Sequence, residues 1–489
     1  VSSATALNLA ERLLRAAGER PDLRIDVGES STTLGVAIDA AQRVSAALSD
    51  LGLRPGSTLV LVGTNSLEYT VFWFAAQIAG LQAIMMNPEY PADLMADPIG
   101  EVHAAAVASE SGSVAAGDGH QIDYSAVLSG AVSVDGVLRA GDRRGDWGTD
   151  RDPLDIATLM YTSGTSGKPK LCAQSHRYLL ELGQYVAETF CLSPADVVYA
   201  PLPLFQINPL GYGLMGAVCG LSDFATSPRF SASRFWATVA EYHATVLILH
   251  GPPVQILLKT PGPTGTHTVR AAFFANEEFL SRFRISLGVA GYGSTEFGGL
   301  THTRLWRHGE RVSIPEGMTA LAGRARPGVE WRLGTDGEIE LRAQRPGVFL
   351  SGYLRDGVVN PTPADHGWIR TGDRGRAEGD ELVFIERMGE SVRMRGEYVP
   401  LSYLDSVFAK LEGVEEASAW TTEDTAELAV YIVGSPDPSA VSGLLDDLPR
   451  FMRPAWMIQT DALPRDPGVG KVQRRRLGEV EELARRPLV

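Results

Sequence analysis

Cysteine is scarce in this chain: Cys172, Cys191 and Cys219 are the three in 489 residues. They are too few and too far apart for a disulfide framework or a zinc knuckle, which points to a reducing compartment. Positive charge is also short. With 44 Lys and Arg against 59 Asp and Glu, the formal charge is −15, so no basic face dominates and no nucleic-acid partner is expected. The densest basic cluster, "RRRL" at residues 474–477, reads as a solvated helix end. No apolar run is long enough to span a bilayer. The most hydrophobic stretch, "VFWFAAQIAGLQAIMM" at residues 71–86, is broken by Gln77, Gly80 and Gln82. No basic segment followed by an apolar one opens the sequence, so no secretory signal is expected and the expected location is cytoplasmic. His-Glu-x-x-His and close His pairs are both missing, which argues against a protein-held transition metal.

What is present is alternation. Leu34, Ile38, Ala41, Val44 and Leu48 fall at helical spacing, with Gly52 as a stop. "STLVLVG" at residues 57–63 reads as a buried strand, and residues 71–86 as a helix, a Gly80 turn and a strand. Repeated αβ units predict a mostly parallel sheet covered by helices on both faces. Residues 109–150 are polar, Gly-rich and weakly periodic, and read as surface structure. A second alternating stretch covers residues 156–299. From residue 323 to 384 the texture changes to short strands broken at Gly334 and Asp336-Gly337. A small α/β unit follows residue 386, with helices around 401–411 and 440–448 and strands around 428–433 and 456–458.

The chemistry centres on "YTSGTSGKPK" at residues 161–170. Every residue from Thr162 through Ser163, Gly164, Thr165 and Ser166 to Gly167 is Gly, Ser or Thr, and Lys168 and Lys170 follow. Glycines let a backbone approach a ligand closely, so successive N–H groups converge on an anion, while hydroxyls and lysines add donors and charge. This is a phosphate cradle in composition. It is not a Walker A loop, because the glycine spacing is wrong and Pro169 stands where the metal-binding hydroxyl belongs. A flexible linker is the competing reading, but a linker seldom follows directly behind a buried strand such as "IATLM" at 156–160.

The loop resembles the signature of the acyl-adenylate-forming (AMP-binding) superfamily: acyl- and aryl-CoA ligases, peptide-synthetase adenylation domains and firefly-type luciferases. Further motifs follow in that superfamily's order. "GYGSTE" (residues 291–296) is similar to Y-G-x-T-E, and "RTGD" (370–373) to T-G-D. "ERMGESVRMRGEYV" (386–399) resembles the hinge segment, and "PRDPGVGKVQRRRL" (464–477) the terminal G-K-V motif. Together these cover about residues 33–477.

The resemblance implies an α/β fold: a large N-terminal domain, residues 1–388, of two αβ subdomains plus a small β-barrel, and a small mobile α+β lid, residues 389–489, with the active site between them. It implies that an acid attacks the α-phosphorus of ATP with Mg²⁺ present, pyrophosphate leaves, and the acyl–AMP passes to an acceptor. CoA is the favoured acceptor, because "MRGEYV" is closer to the ligase pattern than to that of peptide synthetases. The roles follow residue by residue. Thr162 to Lys170 would hold the departing phosphates. Thr295 would donate to the α-phosphate, and Glu296 would serve Mg²⁺. Tyr292, with Gly293 and Ser294 beside it, would stack on adenine, a core tyrosine being the other reading. Asp373 would accept from the ribose hydroxyls with Arg387 on the same sugar, or else simply form a turn after Gly372. Lys471 would bridge the attacking carboxylate and the α-phosphate. The short stretch after Lys471 leads to the expectation of a stand-alone ligase.

The departures are informative. Gly389 occupies the hinge position usually held by Asp or Lys, and Glu386 stands where Gly is usual before Arg387. Glycine absorbs a φ/ψ change readily, so domain rotation is retained while a side-chain lock is lost. "FFANEEF" (273–279) puts Ala275 and Asn276 where glycines border adenine and the acyl pocket, which predicts a narrowed or reshaped site for a small or unusual acid. In "PLPLFQINPLGYG" (201–213) Phe205 would border the acid alongside Gly291, or pack as plain core, and Gln206 replaces the usual histidine. No Asp in that segment would pair an α-amino group, which disfavours an α-amino acid. Two alternatives stay open. One is the same adenylating chemistry with an unusual acid or acceptor: amide formation, carrier-protein loading, or nitrite activation for diazotisation of an aryl amine. The other is a non-catalytic nucleotide-binding relative.

Overall fold

The computed structural model describes every residue except 1–6, 89–99, 101, 142–146, 163–169, 311–319, 356, 389–391, 395–396, 400, 423–426, 449, 466–471 and 489. Packing divides the chain into two compact units. One comprises Val1–Val312, Gly323–Glu330 and Arg342–Gly367; the other comprises Ser313–Ala322, Trp331–Leu341 and Trp368–Val489.

The first unit holds two αβ layers, as the alternation predicts. In one, Thr58–Val62 runs parallel to both Gln82–Met86 and Ala106–Ser109, and Ile156–Thr162 runs parallel to Gln82–Met86. The helix Leu34–Asp50 ends before Gly52, whose φ of +93° makes it a natural stop. The helix Leu67–Ile78 is buried on all sides, including Phe72, Trp73 and Phe74, each at 1% exposure or less. Burying one such side chain stabilises the fold by about 1.5–3 kcal/mol, so a helix apolar all round belongs inside. Its start is set by Ser66, whose hydroxyl accepts from the Tyr69 N–H at 2.9 Å. Gly80, at φ +72°, turns the chain into the next strand.

Residues 109–150 correct the sequence reading. Instead of plain surface structure they add His120–Asp123, Ala131–Val134 and Val137–Ala140 to that sheet. Buried Tyr124, Val127, Val132 and Val134 anchor the stretch, and the Tyr124 hydroxyl donates to the Val62 carbonyl at 3.0 Å. Strands of four residues leave too few alternations for a period to show.

In the other layer Val197–Tyr199, Val246–Leu247, Ala271–Phe273 and Leu287–Tyr292 lie parallel and adjacent in that order, and His302–Arg307 returns antiparallel beside Leu287–Tyr292. Four chain segments therefore leave the same edge of this sheet, the carboxyl ends of its parallel strands, where open α/β sheets place ligands.

The second unit contains most of the strand Glu338–Ala343 and the antiparallel strands Ile369–Glu378 and Glu381–Arg387, from the region read as short strands and turns. Its C-terminal part is a four-stranded sheet, Val414–Thr421, Leu428–Gly434, Trp456–Gln459 and Ala484–Pro487. The helices Leu401–Phe408 and Pro438–Asp447 bury Leu404, Phe408 and Val441 with Val430 and Ile432 of that sheet. Both helices and both inner strands agree with the sequence expectation to within a few residues. Among the described residues no helix is long and apolar enough to cross a membrane.

Candidate active site

In the first unit the glycine-rich stretch joins two paired strands. Ile156–Thr162 and Lys170–Ser175 are antiparallel, with Thr162 opposite Lys170. Ser163, Gly164, Thr165, Ser166, Gly167 and Lys168 lie outside the described residues. The Lys170 ammonium sits 5.1 Å from the centre of the Tyr353 ring, a cation–π contact that fixes its direction.

The segment after Leu287–Tyr292 is held almost wholly by backbone. Thr301 N–H donates to the Tyr292 carbonyl at 2.8 Å, and Gly299 N–H to the Ser294 carbonyl at 2.9 Å. Leu350 N–H donates to the Glu296 carbonyl at 3.1 Å. From the helix His176–Thr189, the buried Tyr178 hydroxyl donates to the Thr295 carbonyl at 2.9 Å, and Tyr212 donates to the Gly299 carbonyl at 2.7 Å. Burial raises the pKa of both phenols above the ordinary value, so both stay protonated donors. The closeness of this packing requires glycine. A Cβ on Gly293 would lie 2.1 Å from the Gly299 carbonyl oxygen, and one on Gly291 would lie 2.5 Å from Leu300 and 3.0 Å from Phe273. The side chains of Thr295 and Glu296 are thus presented on a fixed backbone and stay half-buried. Among the described residues the Glu296 carboxylate is paired with no cation, and no group of three or more His, Cys, Asp or Glu is placed to cage a metal. One open carboxylate suits a hard cation such as Mg²⁺, which takes few protein ligands and is held largely by phosphate oxygens.

Phe205, Gln206 and Gly291 lie at the same strand edge and are half-buried. Asn65 positions the segment leading to them: its amide donates to the Leu202 carbonyl at 2.8 Å, and its oxygen accepts from the Leu204 N–H at 2.7 Å. Asn276 is exposed, and its side-chain oxygen accepts from the Phe279 N–H at 2.8 Å, capping the helix Glu277–Phe283. Phe274 just before it has φ +58°, a left-handed conformation that costs a non-glycine residue energy and that clusters at functional edges.

Sequence reasoning passed over three residues here. His250 follows Val246–Leu247 at this edge, and burial lowers its pKa to about 4. His302, opposite Tyr292 in the ladder and 5.9 Å from its ring, is lowered to about 3 by the same cause. Both are neutral near pH 7. Only their position behind an apolar strand could have marked them. Asn65 gave no signal at all, since its partners are 137 or more residues away.

In the second unit Asp373 and Arg387 are ladder partners, with the carboxylate and guanidinium 3.5 Å apart. Asp373 follows Gly372, whose φ is +74°. Beside them Arg374 pairs with the buried Glu386 at 2.8 Å, and burial raises the Glu386 pKa against the opposing pull of Arg374. Gly389 and Lys471 lie outside the described residues.

The described geometry is that of an α/β protein whose open strand edge carries a backbone-fixed Thr-Glu turn. The AMP-binding enzyme family matches residues 13–351, and the chain belongs to that family. The sulfoacetate–CoA ligase of Cupriavidus necator is 31% identical over 344 residues, 66% of either chain. FadD17 of Mycobacterium marinum, a medium/long-chain-fatty-acid–CoA ligase, is 30% identical over 58% of this chain and 55% of its own. The 4-coumarate–CoA ligase 3 of Oryza sativa subsp. japonica is 25% identical over 94% of this chain and 89% of its own. The matched stretches thus span as little as about half of these relatives' length. Among solved structures, O-succinylbenzoate CoA synthetase of Bacillus subtilis with AMP superposes with a TM-score of 0.81 at 20% identity, covering 96% of this chain and 98% of that one. ATP-bound MatB of Rhodopseudomonas palustris gives 0.80 at 22% identity, covering 97% and 99%. At these identities the likeness establishes the fold.

Proposed function

We propose that the protein activates a carboxylic acid as its acyl-adenylate at the expense of ATP and transfers the acyl group to CoA. The observation that carries this reading is the backbone-fixed Tyr292–Glu296 segment at a strand edge, in a chain of the AMP-binding family. The ligases named above act on sulfoacetate, fatty acids and coumarate with CoA, which supports CoA as the acceptor.

In this reading Tyr292 stacks on adenine, and the Thr295 hydroxyl donates to the α-phosphate. Glu296 holds Mg²⁺, whose charge offsets that of the phosphate oxygens. The N–H groups and hydroxyls of residues 162–170, with Lys168 and Lys170, grip the β and γ phosphates. Phosphoryl transfer of this kind is accelerated by positioning and by neutralising charge as it develops. The roles of Asp373 and Arg387 at the ribose, of Lys471 at the reacting carboxylate, and of Gly389 as hinge at the 388/389 boundary come from the resemblance. Phe205, Gln206 and Gly291 border the acid. His250, neutral at pH 7, adds a polar but uncharged group to that edge, which favours an acid with a neutral body over one bearing a second anion. ATP and CoA as substrates suit a cytoplasmic location.

The test is direct. The chain is incubated with ATP, Mg²⁺ and CoA against a panel of aryl acids, fatty acids, small aliphatic acids and nitrite, and products are read by mass spectrometry. An acyl-CoA appearing with equimolar AMP supports the reading. Pyrophosphate released with an acyl-adenylate that persists and forms no thioester would point to an amine or a carrier protein as acceptor.

A further inference from the structure

We propose that Glu338 is a positioning residue for Asp373, fixing the carboxylate that accepts from a ribose; the inference rests on the nucleotide reading above. Glu338 begins the strand Glu338–Ala343, whose ladder with Ile369–Glu378 is irregular between Glu338 and Glu340. Its side chain is 6% exposed. One carboxylate oxygen accepts from the backbone N–H of Gly372 at 2.9 Å, and the other accepts from Arg370 Nε at 2.5 Å and from a second guanidinium nitrogen.

The N–H of Gly372 is the informative partner. At φ +74° this residue sits at the irregular point of the strand Ile369–Glu378, just before Asp373, and its N–H is bound by a carboxylate instead of a backbone carbonyl. A hydrogen bond to an ionised acceptor is about twice as strong as a neutral one. The carbonyl of the same residue accepts from the Met388 N–H at 2.7 Å. One step on, the Asp373 N–H donates to the Thr371 hydroxyl at 3.1 Å, and that hydroxyl donates to the Ile339 carbonyl at 2.8 Å. Backbone groups on both sides of the Gly372–Asp373 link are therefore gripped, and the direction of the Asp373 side chain follows from them. Without the Glu338 carboxylate the Gly372 N–H loses its acceptor and Arg370 its anchor. At Gly372 this irregular stretch is then held only from the side of Glu381–Arg387, and the direction of the Asp373 side chain is less firmly set.

A residue that merely supports the fold would change stability without changing which part of the nucleotide is recognised. The readout is therefore the preference for AMP over 2′,3′-dideoxy-AMP, measured with the full chain by titration calorimetry. Glu338→Ala weakens AMP binding about tenfold and leaves dideoxy-AMP within about twofold, so the preference collapses. Glu338→Gln weakens AMP about threefold, because its amide oxygen still accepts from Gly372. Glu340→Gln, on the same strand but paired with Arg332 at 2.6 Å, changes neither ligand. Equal losses for both nucleotides in Glu338→Ala, or none for either, would overturn the proposal. Should Glu338→Ala not fold, Glu338→Gln carries the same comparison. Asp373→Ala separates the two levels. If it keeps the preference, or if the wild type binds neither nucleotide, the ribose reading falls and this inference with it. If it abolishes the preference while Glu338→Ala retains it, this inference alone is wrong.

Discussion

Two stretches carry the proposed nucleotide chemistry, and they are built by opposite means. Residues 292–301 are fixed by backbone hydrogen bonds, phenol donors and glycines packed too closely to admit a methyl group. Residues 369–374 are fixed by charge: Glu338 on Gly372 and Arg370, Glu386 on Arg374, and Arg387 beside Asp373. A segment fixed by shape resists changes of salt but not an added atom. One fixed by charge accepts small changes of shape but not the loss of a carboxylate. The first arrangement suits groups that must meet a phosphate at fixed distance, and the second suits an acceptor for sugar hydroxyls.

The largest effect sharpens the comparison from outside both stretches. Lys471→Ala slows adenylate formation by about 10²–10³-fold while transfer from pre-formed acyl-adenylate stays within a few-fold, since a charge aimed at the transition state is removed. Pyrophosphate release and thioester formation, measured separately, check this. Near-normal pyrophosphate release would remove Lys471 from the chemistry.

Next comes the shape-fixed stretch itself. Gly293→Ala meets a backbone oxygen that cannot step aside, and is expected to cost about 3 kcal/mol or more and to abolish nucleotide binding. Gly291→Ala meets the Leu300 and Phe273 side chains, which can shift, and should cost about 1–2 kcal/mol. Urea unfolding and AMP titration read both. Equal tolerance of the two substitutions would break the comparison.

Acid should separate the regions by sign. His250 and His302 have folded pKa values of about 4 and about 3, below the unfolded 6.5, so the unfolded chain binds more protons below pH 6.5. Their contribution is fully present above pH 6.5 and is lost as pH falls toward 4, by roughly 2–3 kcal/mol each. Glu386 is displaced the other way: its folded pKa lies above 4.5, so protonation on acidification favours the folded state. Urea midpoints measured from pH 7 to 4.5 should fall in the wild type and fall less in His250→Gln. A profile identical in wild type and His250→Gln would contradict the assignment.

The smallest effect concerns Asn276. As a helix cap its replacement by Ala should cost about 1 kcal/mol of stability and leave AMP affinity within about twofold. A large loss of affinity at unchanged stability would instead give Asn276 a direct role at the nucleotide.

The motifs on which the proposed chemistry rests can be read from sequence because they are local: a Gly/Ser/Thr run, a Thr-Glu pair and a Gly-Asp pair each fit within a few residues. The long helices and parallel strands were legible for the same reason, since period and stop signals lie within one window. Residues 109–150 were not, because their short strands are held by distant partners such as Tyr124 on Val62. The cap role of Asn276 was written in "NEEF" but masked by the comparison with glycines in the superfamily. Glu338 and Asn65 were illegible as site-builders, because nothing near Glu338 in sequence shows that its carboxylate ends on the Gly372 N–H, 34 residues on, or that Asn65 ends on Leu202.

Exchange of labelled pyrophosphate into ATP tests the central claim most directly. With Mg²⁺ and the panel of acids, label should enter ATP only when an accepted acid is present, and the rate should drop at least about a hundredfold in Lys471→Ala. Label that never enters ATP with any acid, or that enters equally without one, would contradict the account.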